Sequence, residues 1–146
     1  NAGAVVGKAE YVDMNALVDG IAKSVLPDTI ASSRTPLPPI RADPQRMAQV
    51  VRNLLQNVVD HAVADSVSVS GSRANGTCRY VVADDGRGIA GDPGEIFSWG
   101  VTSSAEGSGM GLAIVLRIAQ AMGGTAYVAS TSEKGTQMAV AIPCGE

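Results

Sequence analysis

The chain has 146 residues, a net charge of −3 and 45% hydrophobic residues, which suits a single domain over 1–146 with a sizeable core. Its lysines and arginines are scattered, so it lacks the electrostatic footprint of a protein that binds nucleic acid or an anionic membrane. No apolar run is long enough to span a bilayer, and the N-terminus lacks the basic start and apolar core of a signal peptide. We therefore expect a soluble domain.

The first part of the chain combines extended and helical patterns. Residues 9–14 alternate apolar and polar side chains like a half-buried strand, and residues 15–26 have a helical spacing that Pro27 ends. Prolines and mixed polarity then predict an edge strand over 29–33 and an extended segment over 37–40. Two strands and one helix are thus expected before the first motif.

One long helix is predicted from Asp43 to Ala62. Asp43 is a suitable N-cap, and Pro44 stands in the first turn, where the missing N–H costs little. Apolar residues recur at the three- and four-residue spacing of a helix with one buried face; they are Met47, Val50, Val51, Leu54, Leu55, Val58, Val59 and Ala62. This face must pack against another element.

The other face of this helix carries a polar stripe. Gln49, Asn53, Asn57 and His61 follow at four-residue steps and line up along the helix. Asparagine is a weaker helix former than the residues common on solvated faces, which suggests a role beyond helix stability. An amide oxygen is a sensible ligand for a hard divalent cation surrounded by phosphate charge. An ordinary solvated stripe is the alternative.

A hairpin and a glycine-rich loop follow the helix. Residues 66–70 alternate at period two, and Asn75-Gly76 marks a tight turn into a second strand over 78–83. The second strand leads into Asp84-Asp85-Gly86-Arg87-Gly88-Ile89. Many of the 17 glycines lie between residues 86 and 111, which indicates backbone placed close to a ligand.

The remaining pattern completes the fold prediction. Residues 95–99 suit one short helical turn, and residues 100–109 have no apolar period and are expected to form a mobile loop. A second long helix starts at Met110 and ends at Gly123-Gly124, and a final hairpin over 125–142 turns at Glu133-Lys134-Gly135. The order of elements predicts a two-layer α/β sandwich, with a mixed, mostly antiparallel sheet covered on one face by helices.

The two cysteines, Cys78 and Cys144, are far apart in sequence and belong to no metal-ligand pattern. We interpret them as reduced thiols of a cytosolic domain. The sequence leaves a disulfide open.

Five short motifs, taken in order, resemble those of sensor histidine kinase ATP-binding domains. They are Asn53-Leu54-Leu55-Gln56-Asn57 (N), Asp84-Asp85-Gly86-Arg87-Gly88 (G1), Ile96-Phe97 (F), Gly107-Ser108-Gly109-Met110-Gly111-Leu112 (G2) and Gly135-Thr136. The segment 37–44 is also typical of the approach to the N motif, and the resemblance covers about residues 9–143. It implies the GHKL (Bergerat) fold, in which ATP lies between the two long helices under a flexible lid.

The resemblance also implies roles for individual residues. By this resemblance, Asp84 accepts a hydrogen bond from the exocyclic amine of adenine and is supported by Thr136. Asn57 is the Mg²⁺ ligand, with Asn53 beside it. Asn53 and Asn57 are then both the catalytic and the metal-binding residues. The full set of implied nucleotide contacts is Asn53, Asn57, His61, Asp84, Gly86, Gly88, Ile89, Gly107, Gly109, Met110, Gly111, Leu112 and Thr136.

Each of these features has a simpler structural explanation. An aspartate at a strand end can cap its own backbone in a turn, and Gly86 and Gly88 can be ordinary turn glycines. Gly109 and Gly111 lie at the N-terminus of the second long helix, where they suit a phosphate site; as an alternative, they are ordinary glycines of a flexible loop. Phe97 and Trp99 suit a hinge or docking surface, or a satellite core.

Two positions depart from the family pattern. Asp60 and Ser104 stand where related kinases often carry basic residues, and Asp60 would repel a triphosphate unless Mg²⁺ or Arg87 offsets it. The resemblance implies a domain that binds Mg²⁺ and ATP and passes the γ-phosphate to a histidine. Because the single histidine, His61, lies in the proposed site, we expect the acceptor on a separate dimerisation domain.

This interpretation carries expectations about the parent protein. The domain is expected to be a cytoplasmic monomer that serves a response regulator indirectly, with the dimerisation and sensor domains elsewhere in a parent whose membrane anchorage the sequence leaves open. Two alternatives stay open, a degenerate nucleotide-sensing or interaction module and a serine kinase of the anti-sigma-factor type. An ATP-hydrolysing clamp is disfavoured, since Asn53 is a poor general base where such clamps need a glutamate.

Overall fold

The computed structural model describes residues 9–89, 91–97 and 111–144. Seven strands are found in this part of the chain: β1 (Glu10–Val12), β2 (Ala31–Arg34), β3 (Ile40–Ala42), β4 (Ser66–Ala74), β5 (Thr77–Asp84), β6 (Thr125–Ser132) and β7 (Gly135–Pro143). The α-helices of the same ranges are α1 (Met14–Val25), α2 (Pro44–Asn57) and α3 (Gly111–Ala121). A π-helical turn (Val58–Ala62) extends α2, and a 3₁₀ turn spans Pro93–Glu95.

The main sheet has the order β2-β4-β5-β7-β6. Its β2–β4 pair is parallel and its other pairs are antiparallel, while β1 and β3 form a small separate antiparallel pair. Strand β2 lies at one edge, as the sequence predicts. The β4–β5 hairpin turns at Asn75 (φ 53°) and Gly76 (φ 77°), the two positive φ values that this type of tight turn requires. The predicted mixed, mostly antiparallel sheet is confirmed.

The core lies between this sheet and the helices that cover one face of it. Leu54 and Leu55 of α2 are at most 3% exposed and belong to one buried cluster with strand residues such as Val67, Val82 and Val140. Helix α2 packs against both α1 and α3. None of the helices in the described ranges is long and apolar enough to cross a membrane.

Helix α2 begins as predicted and ends differently. Asp43 caps it, its carboxylate accepting the N–H of Gln45 at 2.9 Å. The regular α-helix stops at Asn57, and the π turn over Val58–Ala62 leads to Val63 with φ 53°. The prediction of one uninterrupted helix to Ala62 is therefore wrong in its last turn. The reason is tertiary, because Arg87 of a distant loop binds carbonyl groups of this turn.

The cysteines also differ from the prediction. Cys78 and Cys144 form a disulfide, with their Cα atoms 5.2 Å apart and a sequence separation of 66. The β5–β7 register places Cys78 opposite Ile142, so Cys144 lies two residues further on the same face. The interpretation as reduced thiols is wrong because antiparallel pairing brings the two distant positions together.

Candidate functional site

Asp84 ends β5 on the face of the sheet that the helices cover, directly opposite Thr136 of β7. Its carboxylate is half-buried and accepts backbone N–H groups from Gly86, at 2.9 Å, and from Thr136. Burial raises the pKa of Asp84 above its usual 3.8, although these hydrogen bonds oppose the shift. Asp84 does cap its own turn, as the alternative explanation has it. A carboxylate has about four lone-pair sites, so it can accept a ligand's N–H as well.

Thr136 links this strand end to the neighbouring hairpin. It is 4% exposed, and its hydroxyl lies 2.9 Å from the hydroxyl of Thr131. The Thr131 hydroxyl in turn accepts the N–H of Ile89 at 3.1 Å. Ile89 is half-buried and packs against the core. The structure thus brings Asp84, Ile89 and Thr136 close together at this end of the sheet; their contacts with a nucleotide stay a prediction.

Gly86 and Gly88 are needed for contacts within the chain. A Cβ on Gly86 would collide with the carbonyl oxygen of Ala62, at the end of the π turn. Gly88 has φ 82°, and a Cβ there would collide with the carbonyl oxygen of Ser132 in the β6–β7 hairpin. The absence of a side chain therefore serves close packing of the loop against two neighbouring segments. An approach of Gly86 and Gly88 to a flat ring stays a prediction.

The two asparagines of the polar stripe face other elements. Asn53 donates through Nδ2 to the carbonyl oxygen of Gly111 at 3.1 Å, and Asn57 donates through Nδ2 to the sulfur of Met138 at 3.8 Å. Both side chains are half-buried. The solvated-stripe alternative therefore does not hold for them. Since the nitrogen of each amide makes the contact, the oxygen, which is the atom a hard cation binds, remains an acceptor.

His61 lies in the π turn, beyond the regular part of α2. A π turn bonds residue i to i+5, so the four-residue step that aligns Asn53 with Asn57 does not continue to His61. The histidine is half-buried, and its backbone carbonyl accepts a hydrogen bond from Nε of Arg87 at 3.1 Å. Its neighbour Asp60 is exposed and accepts Nε2 of Gln56 at 3.0 Å.

Helix α3 begins beside the stripe. Gly111 is its first residue and is held through its carbonyl by Asn53, while Leu112 is half-buried against the core. Phe97 is 6% exposed and belongs to the core cluster, which favours the satellite-core explanation. The other predicted features of this region lie outside the described residues: Trp99, Ser104, Gly107, Gly109, Met110 and the loop over 100–109.

Sequence reasoning missed the contacts of three side chains that build the site. Asp85 accepts the N–H groups of Asp65 and Ser66, each at 2.9 Å, and the hydroxyl of Ser66 at 2.9 Å. The Ser66 bonds chiefly hold the pKa of Asp85 below 3.8. The other two are Thr131 and Arg87. Asp85 and Arg87 lie inside the G1 motif, but their partners are about 20 or more residues away, so no local signal identifies the contacts.

A family model for histidine kinase-, DNA gyrase B- and HSP90-like ATPases matches residues 42–146. Among curated proteins, the sensor histidine kinase ZraS of Escherichia coli O157:H7 is 36% identical over 92% of this chain. The C4-dicarboxylate transport sensor protein DctB of Rhizobium meliloti is 42% identical over 65% of this chain. The chain spans only 31% of the length of that ZraS and 16% of that DctB.

Solved structures agree with these relatives. Full-length ShkA, in complex with AMPPNP, superposes with a TM-score of 0.81 at 33% identity, covering 92% of this chain and 31% of ShkA. The ATP-binding domain of PrrB from Mycobacterium tuberculosis gives a TM-score of 0.77 at 25% identity, covering 95% of this chain and 99% of that domain. The order of the motifs, the strand order of the sheet and the similarities to known proteins all indicate the same family. The chain belongs to the histidine kinase-, DNA gyrase B- and HSP90-like ATPase family and has the Bergerat fold of sensor histidine kinase ATP-binding domains.

Proposed function

We propose that this domain binds Mg²⁺–ATP and donates the γ-phosphate to a histidine on a separate dimerisation domain, in two-component signalling. The observation that carries the proposal is the arrangement of Asp84 and the two asparagines around one end of the sheet. Asp84 supplies a half-buried acceptor beside Thr136, while Asn53 and Asn57 face the start of α3 and β7. The similar protein ShkA was solved in complex with AMPPNP, which supports a nucleotide as the ligand of this domain.

The residues suit the two ends of an ATP molecule. Asp84 can accept a hydrogen bond from the exocyclic amine of adenine. Neutral amide oxygens on Asn53 and Asn57 fit a cation whose remaining ligands are phosphate and water oxygens. A bound Mg²⁺ would neutralise charge on the transferring phosphoryl group, and the asparagines would hold it. Asn53 and Asn57 are then the proposed catalytic residues.

Transfer is favoured over hydrolysis by the chemistry of α2. Asn53 stands four residues before Asn57, and its amide cannot take a proton from water at neutral pH. The single histidine of the chain, His61, lies in the turn that ends α2. We therefore place the acceptor histidine on another domain, with the response regulator as an indirect partner, and propose that the isolated domain is a cytoplasmic monomer.

Calorimetric titration with ATP, with and without Mg²⁺, tests the binding half of the proposal. We expect saturable binding that Mg²⁺ strengthens, a loss of most affinity in Asp84→Asn, and a loss of the Mg²⁺ effect in Asn57→Ala. Asp13→Asn is the matched control, because Asp13 caps the remote helix α1 and asparagine caps as well as aspartate. Absence of binding by the folded wild-type domain would refute the proposal.

A phosphotransfer assay tests the other half. The domain is mixed with the histidine-bearing dimerisation domain of a relative such as ZraS and with radiolabelled ATP. Acid-labile label on that histidine is the expected result. Tight binding without transfer would favour the degenerate nucleotide-sensing module, for which the exposed carboxylate of Asp60 beside the site is the supporting observation. Acid-stable label on a serine of an added antagonist protein would favour the serine kinase.

A further inference from the structure

The end of α2 holds an unfavourable backbone conformation. Val63 closes the π turn with φ 53°, a left-handed region that is strained for a β-branched residue. Its side chain is 75% exposed, so burial of that side chain does not compensate. Such a conformation persists only where the surrounding structure fixes it.

The loop that follows β5 supplies the contacts that fix this turn. The backbone N–H of Arg87 donates to the carbonyl of Ala62 at 2.8 Å, and its side-chain Nε donates to the carbonyl of His61 at 3.1 Å. Gly86 allows this approach, since any Cβ there would collide with Ala62. The N–H of Gly86 also binds the carboxylate of Asp84. A continuous chain of contacts therefore runs from Asp84 to the end of α2.

We propose that Arg87 is a positioning residue for nucleotide binding. Its guanidinium holds the π turn, which contains His61, and thereby fixes this turn and the adjoining end of α2 at Asn57 relative to Asp84. The inference rests on the proposed function, in which one ligand contacts both Asp84 and the α2 stripe. Such a ligand binds best when the two groups are held at a fixed separation before it arrives.

The side-chain contact can be isolated by substitution. Any residue except proline at position 87 keeps the backbone N–H bond to Ala62, whereas the bond from Nε to His61 depends on the side chain. Arg87→Met keeps the length and removes the donors, Arg87→Gln keeps a neutral donor, and Arg87→Lys keeps a charged donor. Arg87 is exposed, so these variants are expected to fold. Arg79→Met is the matched control, because Arg79 donates to Tyr127 on the open face of the sheet.

Two measurements test the proposal, the Kd for Mg²⁺–ATP and amide hydrogen exchange of residues 58–62 in the nucleotide-free protein. We expect Arg87→Met to weaken binding about tenfold, the equivalent of one good hydrogen bond, and to speed exchange in the π turn. Arg87→Gln and Arg87→Lys should both restore most of the affinity and of the protection. Arg79→Met should leave both unchanged.

Three outcomes overturn the positioning role. Wild-type affinity and protection in Arg87→Met would show that the contact has no effect. Rescue by lysine but not by glutamine would show that the charge acts on the ligand directly. Faster amide hydrogen exchange in the π turn together with an unchanged Kd would show that the turn does not position the site. If the wild type binds no nucleotide, the proposed function fails by itself, and the exchange comparison still decides whether Arg87 holds the turn.

Discussion

Replacing Gly86 by alanine should destabilise the domain far more than the added methyl group suggests. Gly86 is buried, and an ideal Cβ on it would overlap the carbonyl oxygen of Ala62 and lie 2.7 Å from its carbonyl carbon. Both of these atoms belong to the backbone of Ala62, so neither can move aside as a flexible side chain would. The loop must therefore retreat from the π turn, and the bond from the N–H of Arg87 to Ala62 lengthens.

The size of the effect follows from those two changes. Overpacking at a rigid site costs about 1–3 kcal/mol, and weakening one backbone hydrogen bond adds about 1 kcal/mol. Gly86→Ala should thus lower the free energy of unfolding by about 2–4 kcal/mol. Gly20 is the matched control, because it is exposed within α1 and a Cβ there meets nothing within 4 Å. Gly20→Ala should raise the free energy of unfolding by about 0.5–1 kcal/mol.

Urea unfolding followed by circular dichroism measures both changes, provided that the slope m is the same in all three proteins. The midpoint should move to lower urea in Gly86→Ala and to higher urea in Gly20→Ala. Equal stability of Gly86→Ala and wild type would refute the close contact between the G1 loop and the end of α2. A shift to higher urea in both variants would show that glycine entropy, rather than packing, dominates.

Three further changes have predicted signs. Val63→Gly should raise the free energy of unfolding by up to about 1 kcal/mol, since it relieves a left-handed valine that is otherwise exposed; a lower midpoint in urea would contradict this. Cys144→Ser should lower it by about 4 kcal/mol on the loop-entropy model for a 66-residue separation, and thiol titration of the unfolded wild type made without reductant should find no free thiol. Burial raises the pKa of Asp84 above 3.8. Between 3.8 and the raised pKa, the native state therefore holds a proton that the unfolded chain has lost. The contribution of Asp84 to the free energy of unfolding consequently falls as pH rises through this range. Asp84→Asn should therefore gain stability relative to wild type between pH 4 and pH 7; a constant difference across that range would contradict the shift.

Several features of this protein follow from local sequence alone. Asp43 and Pro44 start α2 because capping involves only the next few residues. Asn75 and Gly76 set the β4–β5 hairpin because they tolerate the positive φ that the turn demands. Apolar periodicity identified which faces of α2 and α3 are buried. The candidate site could be predicted from the motifs around Asn57 and Asp84, because the order and spacing of these motifs are properties of the sequence itself.

The tertiary structure decided the features whose partners are remote in sequence. The π turn contacts Arg87, about 25 residues beyond it, and the pairing of Cys78 with Cys144 depends on the register of β5 and β7. The need for glycine at Gly86 comes from the carbonyl of Ala62 and not from a turn preference. Local propensity involves energies among neighbouring residues, whereas these contacts exist only once the sheet and helices have been assembled. The sequence therefore determined the elements and the motifs, and the assembled fold decided the contacts that hold the motifs together.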